Sequence, residues 1–205
     1  MITIVDYDAG NLRSVKRACD AAGIESALSK DADAVARAER LIFPGVGAAK
    51  SAVETLDRTG LGEAIRAAHG RGTPVLGICL GAQIVLEESE EGDVRCLGLL
   101  PGRTRRFRLA DPRLKVPHIG WNDVRVERPH PLLAGLEPGD EFYFVHSYYP
   151  SPADFDHAYA TADYGGAFCC ALGKDNLFAT QFHPEKSGRL GLKILERFVR
   201  WEGTC

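Results

Sequence analysis

No stretch of this 205-residue sequence is apolar for long enough to cross a bilayer. The opening MITIVDYDAGN has neither a charged n-region nor a long apolar h-region, so it reads as a first strand and not as a secretory leader. Charge of one sign is not in excess either. The net charge is −3 with 26% charged residues, which gives no basic field for nucleic acid and no acidic solvating tail. The only local basic cluster, RTRRFR from Arg103 to Arg108, reads as a solvated strand or hairpin. The six cysteines, Cys19, Cys79, Cys96, Cys169, Cys170 and Cys205, form no CxxC pair and no zinc-like spacing with histidine. Repeats, low-complexity tracts and linkers are missing as well. These absences lead to the expectation of a cytoplasmic chain with reduced thiols, no metal, and neither nucleic acid nor membrane among its partners.

What is present fits one core. Apolar residues make up 45% of the chain, and the length suits a single domain over residues 1–205. In the first half, strands alternate with helices. ITIVDY, IESALS, RLIFPG and TPVLGIC read as strands, the last apolar throughout, as when both faces are covered. Between them Asn11–Ala22 has helical spacing, with Leu12, Val15, Ala18 and Cys19 on one face. A short helical segment follows Asp31 and Asp33, two more lie around Ser51–Asp57 and Leu61–His69, and GAQIVLEES opens another. This alternation predicts an α/β fold with a parallel sheet. From Leu97 to Phe182 the pattern changes to short β-like runs, namely LGLL, RRFRL, WNDVRVE, EFYFVHSYY, HAYATADY, AFCCALG and LFATQF. The end, SGRLGLKILERFVRWE, predicts an amphipathic helix with Leu190, Ile194 and Phe198 on one face.

One cysteine differs from the rest, for which burial as small hydrophobes is the simplest fate. GICLG, from Gly77 to Gly81, has the shape of a nucleophile elbow, G-x-[Ser/Cys]-x-G. A tight strand-to-helix turn pushes the nucleophile out of the sheet, and small flanking residues avoid collision with neighbouring backbone. The following helix presents N–H groups and positive dipole to the sulfur. Chance glycines around a buried core cysteine give the same letters, so the motif needs a base. Of six histidines, His69 reads as a helix-end residue, His130 and His157 as exposed loop residues, and His118 as structural or interfacial; His146 lies in the EFYFVHSYY run. His183 ends the strand LFATQF, and Glu185 lies two residues on, on the same side of an extended backbone. A carboxylate there fixes the imidazole tautomer and leaves the other nitrogen for a thiol.

Taken together, GICLGAQ and QFHPEKS resemble the class I (triad-type) glutamine amidotransferases. PGVG (Pro44–Gly47), KVPHIGWN (Lys115–Asn122), FYFVHSYY (Phe142–Tyr149) and YDAGNLRSV (Tyr7–Val15) resemble the glutaminase-subunit branch of the imidazole glycerol phosphate synthases. The resemblance implies the class I amidotransferase fold, a mostly parallel central sheet flanked by helices with added β-rich hairpins, and no cofactor. It implies a triad of Cys79, His183 and Glu185, and oxyanion donors from the backbone of Leu80 and of Val46 or Gly47. Gly47, Gln83, Ser147 and Tyr148 are implied to grip glutamine. The implied partner is a cyclase subunit, a (β/α)8 barrel, forming a heterodimer. Asn11, Trp121, Tyr143 and Lys186 are implied to lie at the junction. Asp8, Ala82 and Ala49 depart from the residues usual in that family, a glycine, a methionine and a bulkier side chain.

Three rivals stand beside this reading. Another class I amidotransferase, for anthranilate or guanylate synthesis, shares the triad but not PHIGWN and YFVHSYY. A catalytically silent binding subunit has no need of an intact Cys/His/Glu set. A cysteine hydrolase or chaperone-like member of the elbow fold lacks the HPE strand end and the PGVG loop.

Overall fold

The structure, a computed structural model, describes residues 1–8 and 10–205; Ala9, inside the YDAGN motif, lies outside the described residues. The chain runs β1 (Ile2–Val5), α1 (Leu12–Ala21), β2 (Ser26–Ser29), α2 (Ala32–Ala36), β3 (Leu41–Gly45), α3 (Ala49–Thr59), α4 (Leu61–Gly70), β4 (Val75–Cys79) and α5 (Leu80–Ile84). Then come β5 (Glu88–Ser89), β6 (Val94–Arg95), β7 (Gly102–Arg106), β8 (His118–Asp123), β9 (Arg125–Val126), β10 (Glu141–His146), β11 (Tyr148–Pro152), β12 (Ala158–Asp163), β13 (Ala167–Lys174), β14 (Leu177–Thr180) and α6 (Gly188–Arg200).

The main sheet has the order β2-β1-β3-β4-β14-β13-β12-β9. Its first five strands are parallel and the rest antiparallel. Side chains alternate between two cores, as a period of two requires. Ile2, Ile4, Ile42, Leu76, Ile78 and Phe178 join the face covered by α1 and α6. Val5, Leu41, Phe43, Val75, Leu177 and Ala179 join the face covered by α2, α3, α4 and α5. Both faces are therefore dry, which is why β1, β3 and β4 read as largely apolar runs. Two smaller sheets, β10-β8 and β11-β7-β5-β6, form the β-rich additions.

Local chemistry explains several boundaries. Asp31 caps α2 by accepting from the N–H groups of Asp33 and Ala34 at 2.9 and 3.4 Å. The expected face of α1 is the buried one, and α6 buries Ile194, Leu195 and Phe198 with Leu190 half-buried at the edge. Asp8 sits at φ 63, a left-handed conformation that accounts for the glycine usual there and that Asp tolerates. RTRRFR is solvated on its arginine face only, with Arg103 on Glu88 and Arg108 on Glu90, while Thr104 and Phe107 are buried and β7 ends at Arg106.

Three expectations fail. LGLL is not a strand. The N–H groups of Leu97, Gly98 and Leu99 donate to the carbonyls of Ile84, Leu86 and Val85, so this segment closes the C-terminal end of α5, which has only five residues. His130 is not exposed but 5% accessible, stacked on Phe178 at 4.0 Å, because the turn after it folds under α6. His157, also expected to be exposed, is half-buried.

Candidate active site

The site is built by one adjacency. β4 and β14 are parallel neighbours with Ile78 opposite Thr180, so the residues leaving both strands emerge together at the carboxyl edge of the sheet. Cys79 leaves β4 at φ 55 and ψ −105, outside the ordinary regions for a non-glycine residue, which is the strain expected of an elbow. The flanking glycines are sterically required. A Cβ on Gly81 would lie 2.0 Å from the Phe43 carbonyl oxygen, and one on Gly77 would lie 2.9 Å from the Ala179 Cβ. Cys79 is 6% exposed. The other cysteines are free; Cys19, Cys96, Cys169 and Cys170 are buried and Cys205 is exposed.

His183 lies three residues past the end of β14, and Glu185 sits in the 3-10 turn Pro184–Lys186 that follows. A turn, and not the expected extended backbone, brings the two side chains together. Glu185 Oε1 accepts from His183 Nδ1 at 2.6 Å and from the Asn11 amide at 2.5 Å. Both side chains of the His183–Glu185 pair are dry. With Nδ1 committed, His183 presents Nε2, which is buried without a hydrogen bond of standard geometry and faces the Cys79 sulfur. Burial pushes the imidazolium down, yet the negative charge and hydrogen bonding of Cys79 and Glu185 outweigh it, and the ring is raised to about 10. The surroundings thus favour the imidazolium form of His183. The backbone is fastened too: His183 N–H donates to the Tyr143 carbonyl, Tyr143 N–H to Ser187 Oγ, and Ser187 Oγ to the His183 carbonyl. α6 presses on this turn at Gly191, where a Cβ would meet the Pro184 carbonyl oxygen at 1.8 Å.

A cavity of about 330 Å³ opens over the sulfur, within the range of small-molecule sites. Val46, Gly47, Leu80, Gln83, Ser147 and Tyr148 line it, together with Cys79 and His146. All six residues expected to bind glutamine or its oxyanion are therefore in one place. Gly47 is at φ 106, so the loop after β3 turns there in a way that favours glycine. Behind this loop Tyr7 is buried against Phe43 with its hydroxyl unpartnered, and burial drives its phenol well above the usual range.

The residues expected at a junction cluster just outside the triad. Trp121 is 53% exposed, which removes the alternative of a core aromatic. It meets Tyr143 edge-on at 6.1 Å, and the Lys186 ammonium lies over the Tyr143 ring at 5.7 Å. Asn11 is tied to Glu185 instead of standing free. The sequence reading passed over Gln181, which is fully buried with its amide Nε2 donating to the Cys79 sulfur at 3.6 Å. Its signal was a carboxamide beside Thr180 at the end of a mostly apolar strand, two positions before the histidine. Among the described residues no group of three or more His, Cys, Asp and Glu could hold a metal ion.

A strained thiol, an imidazole poised by a carboxylate, and a pocket over the sulfur can together perform acyl transfer through a covalent thioester. An α/β sheet with this elbow at its carboxyl edge, and a His–Glu pair on the neighbouring strand end, is an architecture of triad-type acyl-transfer enzymes. More narrowly, the chain belongs to the class-I glutamine amidotransferase family, whose model matches residues 3–201. It is 46% identical over 210 residues to the imidazole glycerol phosphate synthase subunit HisH of Chromobacterium violaceum, covering 99% of each chain. It is 48% identical over 206 residues to the subunit of that name from Nitratidesulfovibrio vulgaris, covering 98% of this chain and 96% of that one. A crystal structure of a glutamine amidotransferase superposes with a TM-score of 0.73 at 20% identity over 99% of both chains. PurLQS from Thermotoga maritima does so at 0.71 and 20% over 97% of each, which speaks for the fold alone.

Proposed function

We propose that residues 1–205 act as one amidotransferase domain, the glutaminase subunit of an imidazole glycerol phosphate synthase. The chain hydrolyses glutamine to glutamate and ammonia for histidine biosynthesis. Cys79 attacks the side-chain amide carbon as a thiolate. The tetrahedral oxyanion is held by the N–H of Leu80 and of Val46 or Gly47; one such donor is worth roughly a hundredfold or more in rate. His183 passes its Nε2 proton to the departing nitrogen, ammonia leaves, and a γ-glutamyl thioester remains. Water then attacks with His183 as base, giving glutamate and the free thiol. Glu185, with Asn11, holds the ring in its tautomer and stabilises the imidazolium. Gly47, Gln83, Ser147 and Tyr148 grip the substrate.

Ammonia is protonated in water, so the product is used by a partner that takes it up directly. The partner is the cyclase subunit, a (β/α)8 barrel, and the two form a heterodimer. It joins ammonia to a formimino-linked ribulosyl nucleotide and releases imidazole glycerol phosphate and aminoimidazole carboxamide ribotide. Trp121, Tyr143 and Lys186 are the docking residues, and through Tyr143 and Lys186 they touch the triad's own turn. No helix of the described residues is long and apolar enough to cross a membrane.

The observation that carries this reading is the neighbouring of β4 and β14, which brings Cys79 to His183 and Glu185. The test pairs the chain with its cyclase. Cys79→Ala abolishes glutamine-dependent synthesis while ammonium salts still support it; equal loss of both overturns the assignment. The isolated chain hydrolyses glutamine slowly until the cyclase and its nucleotide bind, and full-rate hydrolysis by the lone chain refutes the coupling.

A further inference from the structure

A line of hydrogen bonds, used nowhere in the chemistry above, runs from β8 to the nucleophile. Its direction is set by one group that can only accept, the Tyr148 backbone carbonyl. Two donors reach that carbonyl, His146 Nδ1 at 2.8 Å and Gln83 Nε2 at 2.9 Å. Because Gln83 must aim its amide nitrogen there, the same nitrogen's second hydrogen goes to Gln181 Oε1 at 2.9 Å. Gln181 then has its nitrogen turned toward the Cys79 sulfur at 3.6 Å. On the other side, His146 with Nδ1 protonated offers Nε2 as an acceptor. His118 Nδ1, at 3.0 Å, must supply that proton. This leaves His118 Nε2 as acceptor for the Asn122 amide at 3.4 Å, and that amide also donates to the Asp163 carbonyl at 2.8 Å. Every orientation follows from the carbonyl, so neither the Gln83 and Gln181 amides nor the His118 and His146 rings can flip without stranding a buried polar atom.

We propose that Gln181 is a further catalytic residue, whose amide N–H holds the Cys79 sulfur in place and favours its thiolate, and that Gln83, His146 and His118 are positioning residues that fix this amide's orientation. The side chains are dry enough for the arrangement to be rigid: Gln181 is 0% exposed, His118 3%, and Gln83 and His146 each 5%. Both histidines must be neutral for the line to hold, and burial pushes His118 down to about 4 and His146 down to about 3. A hydrogen bond to an ionised acceptor is stronger than one to a neutral acceptor, so the donor stabilises thiolate over thiol. It also assigns Gln83 a second duty. With both amide hydrogens spent inside the protein, only its oxygen is left for the substrate, which therefore meets Gln83 as a hydrogen-bond donor.

The test reads the sulfur directly. Cys79 in the full chain is alkylated with iodoacetamide at fixed neutral pH, and its peptide is followed by mass spectrometry so that Cys205 does not interfere. Gln181→Met, similar in size but without the amide, lowers the alkylation rate roughly tenfold, the low end for a hydrogen bond to a charged group. Gln181→Glu keeps an acceptor for Gln83 but sets a carboxylate beside the sulfur, and lowers it further. His118→Phe, at the far end, lowers it by less than either. Unchanged alkylation in Gln181→Met and Gln181→Glu, with native thermal melts, overturns the proposal. Should both variants fail to fold, the wild-type chain decides. The Gln181 side-chain amide resonances shift when Cys79 is alkylated and exchange slowly with solvent, and resonances that do neither overturn it. The functional meaning rests on the glutaminase reading, but alkylation needs no glutamine. Lost alkylation in a chain whose wild type shows no glutaminase sinks that reading alone; lost turnover with normal alkylation sinks the relay alone.

Discussion

Gly81→Ala is the sharpest test of how the elbow is built, because one methyl group confronts one backbone atom. The added Cβ would stand 2.0 Å from the Phe43 carbonyl oxygen and 3.1 Å from its carbonyl carbon. Ordinary contact begins at 3.4 Å, so α5 and β3 must separate by about 1.4 Å, well beyond what a rotamer change absorbs. Neither partner can yield freely. The carbonyl belongs to β3, which is bound between β1 and β4, and Gly81 follows Cys79 by two residues. Overpacking of this kind costs about 1–3 kcal/mol. For a chain of this size a 2 kcal/mol loss lowers Tm by about 4–8 °C. The functional loss is larger, since a displacement near 1 Å at the nucleophile costs roughly a hundredfold in turnover. Gly77→Ala falls between, its Cβ meeting the Ala179 Cβ at 2.9 Å on the strand that leads to His183. Gly70→Ala is the control, with nothing within 4 Å of its Cβ and an ordinary backbone at the end of α4; it melts at or slightly above the wild type. Melting is followed by calorimetry and turnover in the complex with the cyclase and its nucleotide. A Gly81→Ala protein that melts and turns over like Gly70→Ala refutes the steric account of the elbow.

Three further outcomes follow from the same geometry. His183 is raised to about 10 against burial by Cys79 and Glu185, so in Cys79→Ala its ring titrates lower by nitrogen NMR. The raised value adds stability that is fully present below about 6.5 and lost as pH rises through about 10; in Cys79→Ala that alkaline loss flattens, and an identical titration in both proteins refutes the pairing. At the acid end, burial holds His118 and His130 near about 4 and His146 near about 3, so the unfolded chain binds more protons below about 6.5. Stability there falls by up to about 1.4 kcal/mol per pH unit for each histidine until the folded state also titrates, and urea midpoints that stay flat between pH 6.5 and 4 contradict their burial as neutral rings. Trp121→Ala leaves the melt of the isolated chain within about 0.5 kcal/mol, since the ring is half in solvent. It weakens assembly with the cyclase by about 2 kcal/mol or more in titration calorimetry, and unchanged affinity removes Trp121 from the interface.

The parts of this molecule legible in its sequence are those governed by short-range rules. Apolar runs marked β1, β3 and β4, β4 apolar throughout, because covered strands need no polar face. The carboxylate of Asp31 marked the start of α2, and Leu12, Val15, Ala18 and Cys19 marked the inner face of α1. Local rules failed where a partner far along the chain satisfied a backbone. LGLL has strand-like letters, yet its amides are consumed by the carbonyls that end α5. His130 stands in a turn, yet that turn is roofed by Trp201 and floored by Phe178.

The site divides along the same line. Cys79 and the pair His183 and Glu185 were each visible in a motif of a few residues, but what makes them a site is strand order, and no period in the sequence encodes that β14 inserts beside β4. Hydrogen bonds across that join are the least visible of all. Gln181 meets Cys79 across 102 residues, Gln83 meets Gln181 across 98, and Asn11 meets Glu185 across 174. Each of these amides looks like an ordinary polar residue in its own neighbourhood. Gln181 alone carries a local oddity, a carboxamide beside Thr180 where β14 leaves a mostly apolar, buried run. A polar group in such a position must find a partner or cost the fold its desolvation. At the end of a strand that delivers a catalytic base, the partner to look for is the nucleophile on the neighbouring strand.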